Sequence, residues 1–244
     1  MTELQEAAHL IKNAQYGVVF TGAGVSVESG IAPFTGAGGL WNQYDPKFIE
    51  INFFYADPKR SWEEMKKIFF TDMDEAIPNK AHEVIAKLEQ KGMIKGVITQ
   101  NIDGLHQKAG NKNVQEFHGT IKTLSCGVCG RKYKLEDVDI EKVPPLCTCG
   151  HVLKPDFVFY GEGIPSKAYE KSLEMAQNAD VMIIVGTAGQ VMPACSLPLT
   201  SKQFGAKIIE VNPQPSSFTD SITDYYFAQK ATEFFAALEK ELKL

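Results

Sequence analysis

The chain has 244 residues, 44% of them hydrophobic and 23% charged, with a net charge of −5 and an isoelectric point near 5.6. That length suits one large α/β domain, or such a domain with a small insert, of ordinary globular composition. The acidic balance argues against a nucleic-acid-binding surface but is compatible with a cationic peptide partner, and no apolar stretch is long enough to span a membrane.

Leu4, Ala7, Ala8 and Ile11 share one helical face, so residues 2–14 predict a first helix. Met1 to Gln15 carries Glu3 and Glu6 and lacks the basic-then-apolar pattern of a signal peptide, so a cytoplasmic location is expected. Val18, Val19 and Phe20 read as a short buried strand. Gly22 and Gly24 then let the backbone turn sharply and approach a ligand. Ser26, Glu28 and Ser29 suit the opening of a helix, whose free N–H groups attract a phosphate. The full Gly-x-Gly-x-x-Gly fingerprint is not met, because Val27 stands where the third glycine belongs. A tight strand-to-helix turn with no ligand is the alternative.

Ala32 to Gly39 is a glycine-rich loop, either a mobile cover or a plain connector. Residues 41–70 are aromatic, with Trp41, Phe54, Trp62 and Phe69 among them. They predict short helices with a small core of their own, flooring a substrate pocket being the second option. Asn79 to Lys91 reads as a helix ended by Gly92. Met93 to Thr99 reads as a second buried strand running into Gln100-Asn101-Ile102-Asp103, and open α/β sheets bind ligands at such strand ends. Val114 to Phe117 is a shorter strand leading to His118. Residues 120–154 lack periodicity and read as an inserted metal module. Phe157 to Tyr160 is expected to resume the sheet, followed by a helix over Lys167–Ala176. Val181–Val185 and Lys207–Val211 are strands running into Gly186-Thr187 and Asn212, and the tail from Thr232 is helical. Strands alternate with helices, which predicts an α/β fold with a doubly wound, Rossmann-like parallel sheet. The expected division is 1–36, 76–119 and 155–244 for that domain, 37–75 for a small helical module and 120–154 for a zinc-ribbon module.

Cys126-x-x-Cys129, 17 residues, then Cys147-x-Cys149 resembles a structural zinc site, in which four thiolates close a tetrahedron around Zn²⁺. The second pair is one residue tighter than usual, so His151 is a possible substitute for Cys149. Two unrelated thiol pairs are the other reading. Cys195 stands alone and reads as a small buried residue. His118 ends a strand before a glycine, a place from which an imidazole can act as a general base near neutral pH, a structural role being the alternative. Asn101 and Asp103 are polar groups at a ligand-binding strand end, or caps of the helix that starts there.

Taken together, Gly22-Ala23-Gly24-Val25-Ser26, Thr99-Gln100-Asn101-Ile102-Asp103-Gly104, Phe117-His118-Gly119, the cysteine pairs, Lys154-Pro155-Asp156, Gly161-Glu162, Gly186-Thr187 and Val211-Asn212 make the chain resemble a sirtuin of the prokaryotic, single-core type over nearly its whole length. The resemblance implies NAD-dependent removal of an acyl group from lysine, giving nicotinamide, acyl-ADP-ribose and free lysine. It implies that Gly22, Ala23 and Gly24 hold the pyrophosphate, with Phe34 screening the ribose. Gln100 and Asn101 would hold the nicotinamide ribose, Ile102 and Asp103 line the nicotinamide pocket, and Gly186, Thr187 and Asn212 face the adenosine. His118 would be the general base and Asn101 its catalytic neighbour. The acyl-lysine peptide would lie as an added strand between Tyr160-Gly161-Glu162 and the loop containing Val191, with Phe117 and Val158 lining the acyl channel. No direct nucleic-acid or membrane partner is implied.

The sequence departs from the family pattern in the cover loop, where Thr35 replaces an arginine, and at Ala188, where a serine is usual. A charge-assisted contact is worth about 1.5–3 kcal/mol, so loss of the arginine is expected to cost roughly one to two decades in rate or affinity. Thr35→Arg is accordingly expected to raise deacylation, and an unchanged or lower rate would count against that reading. Met65 and Ile68 stand where relatives that take acidic acyl groups carry Tyr and Arg, so a neutral acyl group is expected. Protein mono-ADP-ribosyl transfer and weakly active NAD or ADP-ribose binding are the alternatives. His118 favours deacylation over the first, and Thr35 with Ala188 supports the second.

Overall fold

The computed structural model describes residues 1–34, 38–70 and 76–244. The chain opens with helix α1 (Glu3–Asn13), where Thr2 and Gln5 form a reciprocal capping box and Ala7, Ala8 and Ile11 are buried. Strand β1 (Gly17–Thr21) follows. Short helices α2 (Ile51–Ala56) and α3 (Pro58–Met65) come next, then α4 (Lys80–Gln90), β2 (Gly96–Thr99), α5 (Leu105–Ala109) and β3 (Val114–Glu116). A second group of strands comprises β4 (Gly119–Cys126), β5 (Lys132–Lys134) and β6 (Leu153–Phe157). The chain closes with α6 (Ser166–Asn178), β7 (Val181–Val185), α7 (Ser196–Gln203), β8 (Lys207–Val211), β9 (Tyr225–Phe227) and α8 (Ala231–Leu242).

Six strands form one parallel sheet in the order β3-β2-β1-β7-β8-β9. All five β1 residues are buried, and alternate side chains serve two cores. Val19 packs with α1, α4 and α8 on one face, while Val18 and Phe20 pack with α6 and α7 on the other. Two covered faces explain why these strands read as unbroken apolar runs rather than alternating ones. A smaller antiparallel sheet, β5-β4-β6, shares a third core with the helical module. Trp62 of α3 is fully buried there, and its indole N–H donates to the Leu153 carbonyl at 2.8 Å, tying that module to β6.

Two expectations are corrected. No α-helix follows the first glycine turn. Ala23–Val25 and Val27–Ser29 are separate 3₁₀ turns, and Gly30 at φ 88° stops the second. Ser26 is fully buried with its hydroxyl turned inward on Asp103, so it caps nothing. Phe157 to Tyr160 does not resume the main sheet. Phe157 ends β6 of the small sheet, and Tyr160 instead exchanges backbone hydrogen bonds with Ile49 and Ile51. A short apolar run states that a strand is buried, not which sheet it joins. Helix α7 and strands β4 and β9 have no clear counterpart among the sequence signals. The first contains Pro198 and has a weak apolar stripe, and β9 is only three residues long. Among the described residues no helix is long and apolar enough to cross a membrane.

Candidate active site

Strand order reverses between β1 and β7, and a cleft of about 500 Å³ opens beyond their carboxyl ends, where such sheets bind ligands. The turns leaving the two strands pack directly on each other: Gly22 N–H donates to Val185 O (2.9 Å) and Gly24 N–H to Gly186 O (2.8 Å). A Cβ on Gly24 would stand 2.6 Å from the Gly186 Cα, and one on Gly22 2.8 Å from the Gly186 oxygen. These glycines are therefore required by turn-on-turn packing as well as by any ligand. The amides of Gly22, Gly24, Val25 and Ser26 are all bonded to carbonyls, so the turn offers close approach more than an open set of donors.

The segment after β2 forms the next wall. Asn101 is buried and its amide donates to Gly22 O (3.2 Å) and Ser26 Oγ (3.1 Å), while its backbone N–H donates to Thr99 Oγ1 (3.0 Å). Gln100 Nε2 donates to Thr187 Oγ1 (3.1 Å), and Asn212 Nδ2 to Thr187 O (3.1 Å), linking the ends of β2, β7 and β8. Asp103 accepts from Ser26 Oγ (2.8 Å) and from Leu105 N–H (2.9 Å), while the N-cap position of α5 is Gly104. Burial raises its pKa, against the opposing hydrogen bonds. His118 reaches the cleft from the turn into β4. Its Nδ1 lies 3.1 Å from Gln100 O, and a carbonyl partner requires the proton on Nδ1, which leaves Nε2 as the lone-pair nitrogen. Desolvation lowers the His118 pKa, with the Gln100 bond opposing, so the imidazole is neutral at pH 7.

Away from the cleft, the sulfurs of Cys126, Cys129, Cys147 and Cys149 all lie within 4.8 Å of one another. Close pairs are Cys126–Cys149 at 3.6 Å and Cys129–Cys147 at 3.5 Å. A tetrahedral zinc with 2.3 Å bonds has sulfur–sulfur edges of about 3.8 Å, so the cluster has the size a metal ion needs. His151 Nδ1 sits 3.6 Å from the Cys149 sulfur as a neighbour of the cluster, and Cys149 is its fourth member.

The model of the Sir2 family matches residues 22–193. The chain belongs to the Sir2 family. It is 42% identical over 241 residues to an NAD-dependent protein deacylase 2 of Pyrobaculum aerophilum, covering 97% of this chain and 94% of that one. It is similar to a Sir2 complex with a deacetylated p53 peptide and 3′-O-acetyl ADP-ribose, with 37% identity, 98% of both chains covered and a TM-score of 0.93. It is also similar to a Sir2 complex with p53 peptide and NAD⁺, with 38% identity, 98% of both chains covered and a TM-score of 0.89.

In this Sir2-family chain the cleft gathers most of the residues expected from sequence. Gly22, Ala23, Gly24, Gly186, Thr187 and Asn212 line it. Phe34, Gln100, Asn101, Ile102 and His118 line it as well, and so do Val158, Tyr160, Gly161, Glu162 and Val191. Asp103 faces an adjoining recess shared with Ser26, Ile31 and Ile102. Phe117 is the exception. It is fully buried, packs with Phe20 and Tyr169 behind the sheet, and is not on the cleft surface. Both residues sit in the turn between β3 and β4, which sends the His118 imidazole to the cleft and the Phe117 ring into the core behind the sheet. Glu162 accepts from Phe159 N–H (2.8 Å) and pairs with Lys154 Nζ (3.0 Å), which fastens the Val158–Tyr160 wall. Trp41, Ile49, Phe69, Phe159, Gln214 and Pro215 also line the cleft, unassigned from sequence. The aromatic density of residues 41–70 was the available signal. It serves both roles, since Phe54 and Trp62 are core while Trp41 and Phe69 face the cleft. Thr35 lies outside the described residues.

Proposed function

We propose that the protein is an NAD-dependent protein-lysine deacylase acting on acetyl and other neutral acyl groups, releasing nicotinamide, acyl-ADP-ribose and free lysine. The observation that carries this reading is His118, a neutral, cleft-lining imidazole whose protonated nitrogen is held by the Gln100 carbonyl. NAD, when bound, supplies the electrophilic ribose carbon and the nicotinamide leaving group. Gly22, Ala23 and Gly24 make room for the pyrophosphate beside Gly186, Thr187 and Asn212 on the adenosine side. Gln100 and Asn101 orient the nicotinamide ribose, with Phe34 over it. Ile102 and Asp103 hold nicotinamide in the adjoining recess. His118 takes a proton from a ribose hydroxyl so that its oxygen can capture the acyl carbon. The peptide adds as a strand between the Tyr160–Glu162 segment and the Val191 loop. Zn²⁺ held by Cys126, Cys129, Cys147 and Cys149 is structural, because four thiolates leave no open position.

The neutral-acyl preference is supported by the lining. No lysine or arginine is among the described residues around the cleft, and Glu162 is its one carboxylate, so an acidic acyl group meets no cation. Met65 and Ile68 are buried in the small-module core. The test is mass spectrometry of a reaction containing NAD and a pool of acetyl-, propionyl- and succinyl-lysine peptides. Nicotinamide and acyl-ADP-ribose formed from the neutral peptides are expected. Succinyl-lysine as the best substrate overturns the acyl assignment. ADP-ribose retained on protein points to transferase chemistry, and absence of nicotinamide release points to binding alone.

A further inference from the structure

Glu210 of β8 is fully buried, and among the described residues it forms no ion pair. Its carboxylate instead accepts three hydroxyl hydrogen bonds from one loop. Ser216 Oγ donates at 2.5 Å and Thr219 Oγ1 at 3.1 Å, both to Oε1, and Thr223 Oγ1 donates to Oε2 at 2.7 Å. An unpaired carboxylate is costly to bury, and strong acceptor bonds of this kind are what offset that cost. The loop gathered in this way runs from Asn212 to Thr223, and its Asn212, Gln214 and Pro215 line the cleft. Phe218, fully buried at its centre, anchors it.

The same loop reaches a second wall. Ser217 N–H donates to Ala188 O (3.1 Å) and Ser217 Oγ to Gly189 O (2.6 Å). A Cβ on Gly189 would collide with Ser217 and Phe218, so the two loops are in full contact there. Gly189 leads into the Gln190–Pro193 segment, which lines the same cleft as Tyr160 and Glu162. One carboxylate thus fixes a loop that bounds the adenosine end and, one hydrogen bond further on, buttresses the wall assigned to the peptide.

We propose that Glu210 is a positioning residue for both ligands of the cleft, holding the 212–223 loop in place for the adenosine end and, through Ser217, the 189–193 wall for the peptide. The inference rests on the assignment of those two ends made above. Glu210→Gln keeps the side-chain shape but replaces one acceptor oxygen with a donor facing hydroxyls. It is expected to weaken binding of ADP-ribose about tenfold and of an acetyl-lysine peptide about threefold, as loss of one to two hydrogen bonds converts. Ser217→Ala removes only the bond to Gly189 and is expected to weaken the peptide about threefold while ADP-ribose binding stays within about twofold. Calorimetric titration of the full chain with each ligand, well below the melting temperature, measures both. Should Glu210→Gln fail to fold, Thr223→Val removes one donor at equal volume and is expected to weaken ADP-ribose about threefold. Variants that melt earlier but bind both ligands like the unmutated protein overturn the inference and leave the functional reading intact. An unmutated protein that binds neither ligand overturns both.

Discussion

At the scale of single residues, the proposed function rests most directly on the environment of His118. Its pKa is lowered from the ordinary 6.5 by desolvation, against the bond to Gln100. The base form therefore persists below pH 6.5, and activity is lost only as pH falls through the lowered value. The acid limb of kcat/KM is expected below pH 6.5, and a limb above pH 7 would contradict the assignment. His118→Ala is expected to lower deacylation about 10²–10⁴-fold while ADP-ribose still binds, measured by product formation and titration. His118 and Asn101 stood out in the sequence as polar residues following predicted strands, with a structural role the alternative for each, and the structure places both on the cleft. Phe117 was expected to line the acyl channel, and the turn between β3 and β4 instead buries its ring behind the sheet. Glu210 went unread, since a carboxylate inside Lys207–Val211 has no meaning until Ser216, Thr219 and Thr223 are seen around it.

At the scale of elements, two devices hold the site from outside. Asn79 caps α4 by accepting from Ala81 N–H (2.9 Å), and its amide also donates to Val25 O (2.8 Å) and Ser29 Oγ (3.0 Å). One side chain thus starts a helix and fastens the two 3₁₀ turns behind the glycine turn. Asn79→Ala is expected to cost about 1–2 kcal/mol, read from denaturant unfolding, and a change below about 0.3 kcal/mol would show that the turns are held elsewhere. The second device is the cysteine cluster between the β4 and β6 ends of the small sheet. Cys126 and Cys147 are buried in the core that this module shares with the helical module, and a bound metal would add folding free energy to it. One zinc per chain is expected by elemental analysis. Stripping it with a strong chelator should abolish activity and increase amide exchange in β4–β6 first, while β1 and β7 stay protected. Loss of protection across both sheets together would show one cooperative unit instead. The cysteine cluster was legible from spacing, whereas the assignment of Phe157 to the small sheet was not, because pairing partners are set by register across distant segments.

At the scale of the whole molecule, two buried histidines tie stability to pH. His82 and His106 stack edge to face with centroids 4.9 Å apart between α4, α5 and β1, and desolvation lowers their pKa values to about 4 and about 3. Unfolded, both protonate near 6.5. Below pH 6.5 the unfolded chain therefore binds more protons, and stability falls as pH drops from 6.5 toward 4. His82 alone contributes on the order of 3 kcal/mol across that window. Asp103 and Glu116, whose pKa values are raised by burial, act in the opposite sense. His106→Gln isolates the histidine contribution. The variant is expected to melt below the unmutated protein at pH 7, with the gap narrowing by pH 5, and a constant gap would contradict this account.

The sequence by itself determined the α/β class, the parallel sheet, the cysteine cluster and the family, because these follow from local patterns: apolar runs, thiol spacing and strand-end polar residues. Only the tertiary structure decided which strands share a sheet, which face Phe117 takes and why Gly24 tolerates no side chain. It also showed how Glu210 joins two walls of one cleft. Each of these depends on atoms far apart in the chain coming within a few ångströms, and their spacing is fixed by packing and register rather than by neighbours in sequence.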